Sequence, residues 1–191
     1  MDTLKFYTDL GFWHVIDLEG LDHLFFITTL ALPFAFSKSR KLIWWVTLFT
    51  LGHTLSLVGN VYAEIKFSSY WIELLIPVTI AISAISLLLK KRTSIADKTS
   101  WFFPILTILF GVIHGLGFGR YFSLLIPEES VGSSLISFAI GVELAQILIV
   151  LGVLILNIIV IDFMKRSRLK WEFLIGAMVL SQALTMIFER I

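Results

Sequence analysis

The sequence predicts an all-α integral membrane protein: a bundle of six transmembrane helices with an N-terminal interfacial helix on its outer face. Three observations point there. Hydrophobic residues make up 58 % of the 191 residues and charged residues 15 %, against about 45–50 % and about 25 % in soluble domains. Apolar runs recur at the length a helix needs to cross a hydrocarbon core of about 30 Å, roughly 20 residues. Most of the basic residues gather in three connections between those runs. Helix is the required conformation, because each run must satisfy its own backbone in lipid. The alternating segments of about ten residues that mark a transmembrane barrel are absent.

Taken in order, residues 1–20 form the interfacial segment and 21–191 the six-helix bundle, so that 1–191 reads as a single membrane domain. Within 3–18, Phe6, Leu10, Phe12 and Trp13 lie among polar residues, the pattern of a helix at the outer interface. An ordered loop is the alternative. The spans fall near 21–37, 42–62, 70–89, 101–125, 133–161 and 171–188. The fifth exceeds what a membrane needs, so it tilts or begins outside the hydrocarbon. Trp71 and Trp101, near span ends, read as interface anchors.

Charge orients the bundle. Lys38, Arg40 and Lys41 join spans one and two; Lys90, Lys91, Arg92 and Lys98 join three and four; Lys165, Arg166, Arg168 and Lys170 join five and six. Only Lys5, Lys66, Arg120 and Arg190 fall on the other side. The positive-inside rule puts the three basic loops in the cytoplasm and both termini outside. A helical bundle argues for a bacterial inner membrane, since outer-membrane spans are normally barrels. The opening residues, with Asp9 and no continuous apolar run before Asp17, are not a signal peptide.

Net charge is +1, with no basic patch interleaved with aromatics, so the partners expected are membrane lipids and not nucleic acid. Nothing in the composition identifies a protein partner. There is no cysteine, which excludes disulfides, thiolate metal sites and cysteine nucleophiles. Any metal must be held by His, carboxylate, amide or hydroxyl groups.

Ionisable side chains within spans are costly and mark function. His14 lies in the interfacial segment, Asp22 and His23 at the outer start of span one, His53 in span two, His114 in span four and Glu143 in span five, with Gln146 one turn below. Counting rise per residue, His53 lies about 16 Å above the cytoplasmic start of its span and Glu143 about 15 Å below its outer start, so these groups share a level. Thr50, His53, Ser56, Asn60 and Glu64 form one polar stripe. Gly111, Gly115 and Gly119 let span four approach a neighbour closely. A single buried histidine is more often a satisfied polar residue than a ligand, and glycines alone read as packing. Taken together, however, four histidines with Asp22 and Glu143 are the donor set of a borderline divalent metal.

These motifs resemble the HupE/UreJ family of small bacterial membrane proteins over nearly the whole chain. The likeness rests on Gly20-Leu21-Asp22-His23-Leu24-Phe25-Phe26 preceded by His14, on Phe49-Thr50-Leu51-Gly52-His53-Thr54-Leu55-Ser56-Leu57, and on Glu73 before Thr79. It continues through Phe110-Gly111-Val112-Ile113-His114-Gly115-Leu116-Gly117-Phe118-Gly119 and Phe138-Ala139-Ile140-Gly141-Val142-Glu143-Leu144-Ala145-Gln146. Ala139 and Ala145 stand where the family usually has Asn and Gly, and Thr79 where it often has Ser. The resemblance implies a secondary permease for nickel or cobalt. On that reading His14, Asp22 and His23 collect the metal at the outer side, and His53, His114 and Glu143 form a deeper site.

A rival reading is enzymatic. The family is distantly similar to alkaline ceramidase and adiponectin-receptor-like intramembrane hydrolases, which carry histidine-bound zinc. Here His23, His53 and His114 would hold zinc, Asp22 or Glu143 would act as general base, and Ser56 or Thr54 would help hold an oxyanion. The substrate would be a lipid amide or ester, or a lipoprotein. A third reading is a structural subunit whose polar groups only fix packing. Transport needs polar groups in the cytoplasmic half, and there Thr47, Thr107, Ser83, Ser86 and Asn157 read as scattered and uncharged. That favours the enzyme; the family likeness favours the permease and is given precedence.

Overall fold

A computed structural model describes residues 3–17, 20–63, 68–89 and 102–191. Glu64, Lys66, Trp101 and the basic loop carrying Lys90, Lys91, Arg92 and Lys98 lie outside the described residues. The described chain forms α1 (Thr3–Ile16), α2 (Asp22–Ala31), α3 (Ser39–Ala63), α4 (Ser69–Leu88), α5 (Phe102–Leu125), α6 (Val131–Asn157) and α7 (Arg168–Phe188). A π-helical turn, Ile158–Phe163, extends α6.

Among the described residues, five helices are long and apolar enough to cross a membrane: Phe36–Ala63, Ser69–Leu88, Phe103–Leu125, Val131–Phe163 and Arg168–Phe188. The apolar run expected to be the first of six spans, 21–37, is not one of them. Its helix, α2, has 10 residues, about 15 Å long at the helical rise. Pro33 explains the stop: Leu32 is still helical and donates to Thr28 O, but Pro33 has no N–H to continue the ladder. The segment after α2 stays inside the protein, with Leu32 and Phe34 fully buried.

The N-terminal segment is helical, but α1 does not stand apart from the bundle as an interfacial helix would. It packs lengthwise on α6, and among the described residues only the α3–α5 pair is more extensive. Both interfaces are built the same way. Gly11 lies against the backbone of Phe138 and Val142, and Gly141 against Thr8 and Phe12. Gly52 lies against Ile108 and Val112, and Gly111 against Phe49 and His53. Gly115 and Gly119 continue the seam against Ser56 and Asn60. The small-residue face expected on α5 is therefore a real contact face.

Successive contacts show how α1 and α2 run. The Tyr7 hydroxyl donates to Leu125 O at 2.7 Å. The His14 ring lies 4.1 Å from that of Phe118, Asp22 3.3 Å from His114, and Phe26 stacks on Phe110 at 3.7 Å. As the chain advances through α1 and α2 it reads α5 backwards, from its far end toward the end where the basic loops lie. Phe34 then meets Trp45 near the start of α3.

The outward face is apolar. Along α6, Ile136, Ile140, Leu144, Leu148 and Leu151 are all exposed. The polar side chains instead turn inward, with His23, Thr50, His53, Ser56, His114, Gln146 and Asn157 buried. A water-soluble bundle does the reverse; this one takes lipid as its solvent.

Candidate metal centre

The end of α1 and the start of α2 lie beside α3 and α5, and all four histidines converge there. His14 comes from the last turn of α1, His23 from the first turn of α2, His53 from α3 and His114 from α5. Ring centroids lie 4.9 Å apart for His14–His23, 5.7 Å for His14–His53, 6.2 Å for His23–His53 and 4.6 Å for His23–His114. Three imidazoles on one ion, with metal–nitrogen bonds of about 2.1 Å, hold their centroids roughly 5–6 Å apart.

Two overlapping sets of donors result. His14, His23 and His53 form one, and Asp22, His23 and His114 the other; within each, the donor atoms lie within 4.8 Å of one another. His23 belongs to both. Its Nδ1 lies 3.0 Å from Asp22 Oδ1, and its backbone N–H donates to the same oxygen at 2.7 Å. That arrangement fixes the ring with Nε2 turned away from the carboxylate, the relation seen where a carboxylate orients a metal-bound histidine. Asp22 Oδ2 is 3.3 Å from His114 Nε2, close enough for charge attraction but poorly aligned for a hydrogen bond.

The remaining nitrogens are conspicuous. His14 Nε2, His23 Nε2, His53 Nε2 and both ring nitrogens of His114 are buried and have no hydrogen-bond partner among the described residues. His23 and His53 are each 1 % exposed and His114 3 %. Buried polar atoms are nearly always paired, and leaving one unpaired costs about 1–3 kcal/mol. Five such nitrogens gathered in one place fit the coordination of a divalent cation. Phe49, Phe110, Phe118 and Phe138 wall the rings in, a low-dielectric surround that strengthens any charge held there.

The other candidates lie elsewhere. Glu143 belongs to neither donor set. Its carboxylate accepts from the Thr47 hydroxyl at 2.7 Å and from the Thr50 hydroxyl, below His53 toward the basic-loop end. Ser56 donates to His53 O at 2.8 Å and faces Gly115. Asn60 donates to Ser56 O at 3.0 Å, and Glu73 is exposed.

Of the side chains read as scattered in the cytoplasmic half, Thr47, Ser83 and Asn157 join helices, while Thr107 and Ser86 donate to carbonyls of their own helices. Thr47 serves Glu143. The Thr29 and Ser83 hydroxyls share a hydrogen bond at 2.7 Å between α2 and α4. Asn157 Nδ2 donates to Leu32 O at 3.1 Å and Phe34 O at 3.2 Å, and Asn157 Oδ1 accepts from Trp171 Nε1 at 2.9 Å. The spacing of Thr47 with Thr50, and of Glu143 with Gln146, was the available signal: both pairs are three apart, hence on one helical face.

The model of the HupE / UreJ protein family matches residues 1–190. No curated protein and no solved structure matches the chain. With the family's model spanning all but the last residue, this chain belongs to the HupE/UreJ family.

Proposed function

We propose that the protein is a secondary permease that binds a divalent metal, nickel or cobalt, and carries it across the bacterial inner membrane, with both termini outside. One observation carries this reading: four imidazoles from four helices meet at the gap between α1 and α2 with unpaired buried nitrogens. Neutral imidazole with carboxylate suits Ni²⁺ and Co²⁺.

On this reading α1 and α2 together make one interrupted crossing, which supplies the sixth passage demanded by the charge pattern. Irregular backbone at membrane depth is tolerated where protein buries it, and interrupted helices bring their ends to the substrate in transporters. Asp22 lowers the net charge of the filled site. The two donor sets sharing His23 supply successive stations: the ion enters on His14, His23 and His53 and shifts to Asp22, His23 and His114.

Reconstituted into liposomes, the protein should take up nickel, and His114→Ala should abolish uptake while leaving the protein folded. Tight nickel binding with no uptake would overturn the permease. The same trio of histidines also supports the second reading, a zinc-dependent intramembrane hydrolase. There zinc would supply an activated water, and Asp22 would hold His23. Near-stoichiometric zinc that survives dialysis, with no transport, is its signature.

A further inference from the structure

On α7 a polar stripe faces away from the bundle. Deep in the other spans Thr50, His53, His114 and Gln146 are all buried in the protein. The helix α7 buries Glu172, Gly176, Val179 and Ala183, packing on α4 where Gly176 meets Leu87 and Leu88. It turns Ser181, Gln182 and Thr185 to the opposite side, and all three are exposed. At 3.6 residues per turn, Met178, Gln182 and Thr185 fall within an arc of about 60°, and Met178 is exposed with them.

The depth makes this costly. Gln182 lies eleven residues beyond Trp171, at the basic-loop end of the helix. That is about 16 Å along the axis, near the middle of a hydrocarbon core of about 30 Å. No hydrogen bond reaches the Gln182 amide among the described residues. The Thr185 hydroxyl donates to Ser181 O at 3.1 Å, which leaves its oxygen free to accept. In water an outward amide is solvated; lipid chains offer it nothing.

We propose that this face of α7 joins two copies of the chain, paired through Gln182 across a twofold axis. A primary amide carries both donor and acceptor, so it is its own complement. Related by a twofold axis, each Gln182 Nε2 donates to the other copy's Oε1, and the second amide proton reaches the Thr185 oxygen. A lone carboxylate or ammonium would instead call for a partner of opposite charge. Hydrogen bonds between amides are among the forces that associate helices in lipid, where apolar contact alone gives no preference for protein over acyl chains. The interface does not rest on the permease reading.

The chain has no cysteine, so an introduced one reports alone. In liposomes of the purified full chain, Met178→Cys should give a disulfide-linked dimer under a membrane-permeant oxidant. Leu144→Cys, on the exposed face of α6 at a like depth, should give almost none. Adding Gln182→Leu to Met178→Cys should raise the protein-to-lipid ratio at half-dimer about tenfold, the loss of the reciprocal amide bonds. Gln182→Leu by itself should leave the melting temperature measured at high lipid dilution unchanged, because the amide pairs with nothing in its own copy. Gln182→Met, of similar length, carries the test if Gln182→Leu does not fold. A partner of another kind would leave Met178→Cys unlinked in these liposomes, which overturns the interface. So does equal linkage from Leu144→Cys, a half-dimer ratio unmoved by loss of the amide, or a lower melting temperature of Gln182→Leu at high dilution.

Discussion

The two ends of α2 both interrupt helical backbone inside the bundle, and the protein treats them in opposite ways. At the basic-loop end, the irregular stretch through Pro33 is closed. Asn157 caps Leu32 O and Phe34 O, Arg168 Nη1 reaches Phe34 O at 3.4 Å, and Trp171 donates to Asn157. At the other end, Asp22 holds His23 in one orientation, and five imidazole nitrogens have no partner among the described residues. A polar network that serves only to hold structure is completed within the protein, because buried unpaired groups are costly. A set oriented as carefully but left incomplete is shaped for something that arrives from outside.

Substitutions at each end should therefore separate binding from stability. The largest effect is expected for His53→Leu. Nickel affinity, read by calorimetry, should fall by more than the roughly 100-fold typical of losing an outer-shell partner. Its melting temperature should not fall, because an unpaired buried nitrogen is removed. A lower melting temperature with affinity intact would make the histidine end structural.

Asn157→Leu should do the converse. It strips hydrogen bonds from Leu32 O, Phe34 O and the Trp171 indole, a loss of about 3 kcal/mol, visible as a lower unfolding midpoint with nickel affinity unchanged. A loss of affinity as large as that of His53→Leu would erase the contrast between the ends.

Asp22→Asn is the smallest and sharpens the comparison from within the site. An amide can still orient His23 but carries no charge. Affinity should drop at least about 10-fold, the low end for outer-shell partners of metal-bound histidines, because the second donor set also loses its charged donor. An unchanged affinity would remove Asp22 from the centre.

Much of this was legible in the chain. Composition and run length gave the helical membrane class, because lipid leaves the backbone few alternatives. The four-residue spacing of Gly111, Gly115 and Gly119 announced a close seam, which the structure finds against α3. The span near 21–37 was misread because hydropathy averages over a window and does not register that a proline ends a helix whose flanks stay buried. Asn157 looked isolated because its partners, Leu32 and Phe34, lie more than 120 positions away in sequence.

By itself, the sequence determined which chemistry was available: imidazole, carboxylate and hydroxyl donors without thiolate, in a chain that must fold as helices in lipid. Only the tertiary structure decided how those donors divide, placing the histidines with Asp22 at the interrupted helix and Glu143 with Thr47 and Thr50 a turn away. Helical spacing gives the height of a side chain along its own span. It carries no information on rotation or on which neighbour faces it, and those are set by the glycine seams that lock α1 to α6 and α3 to α5.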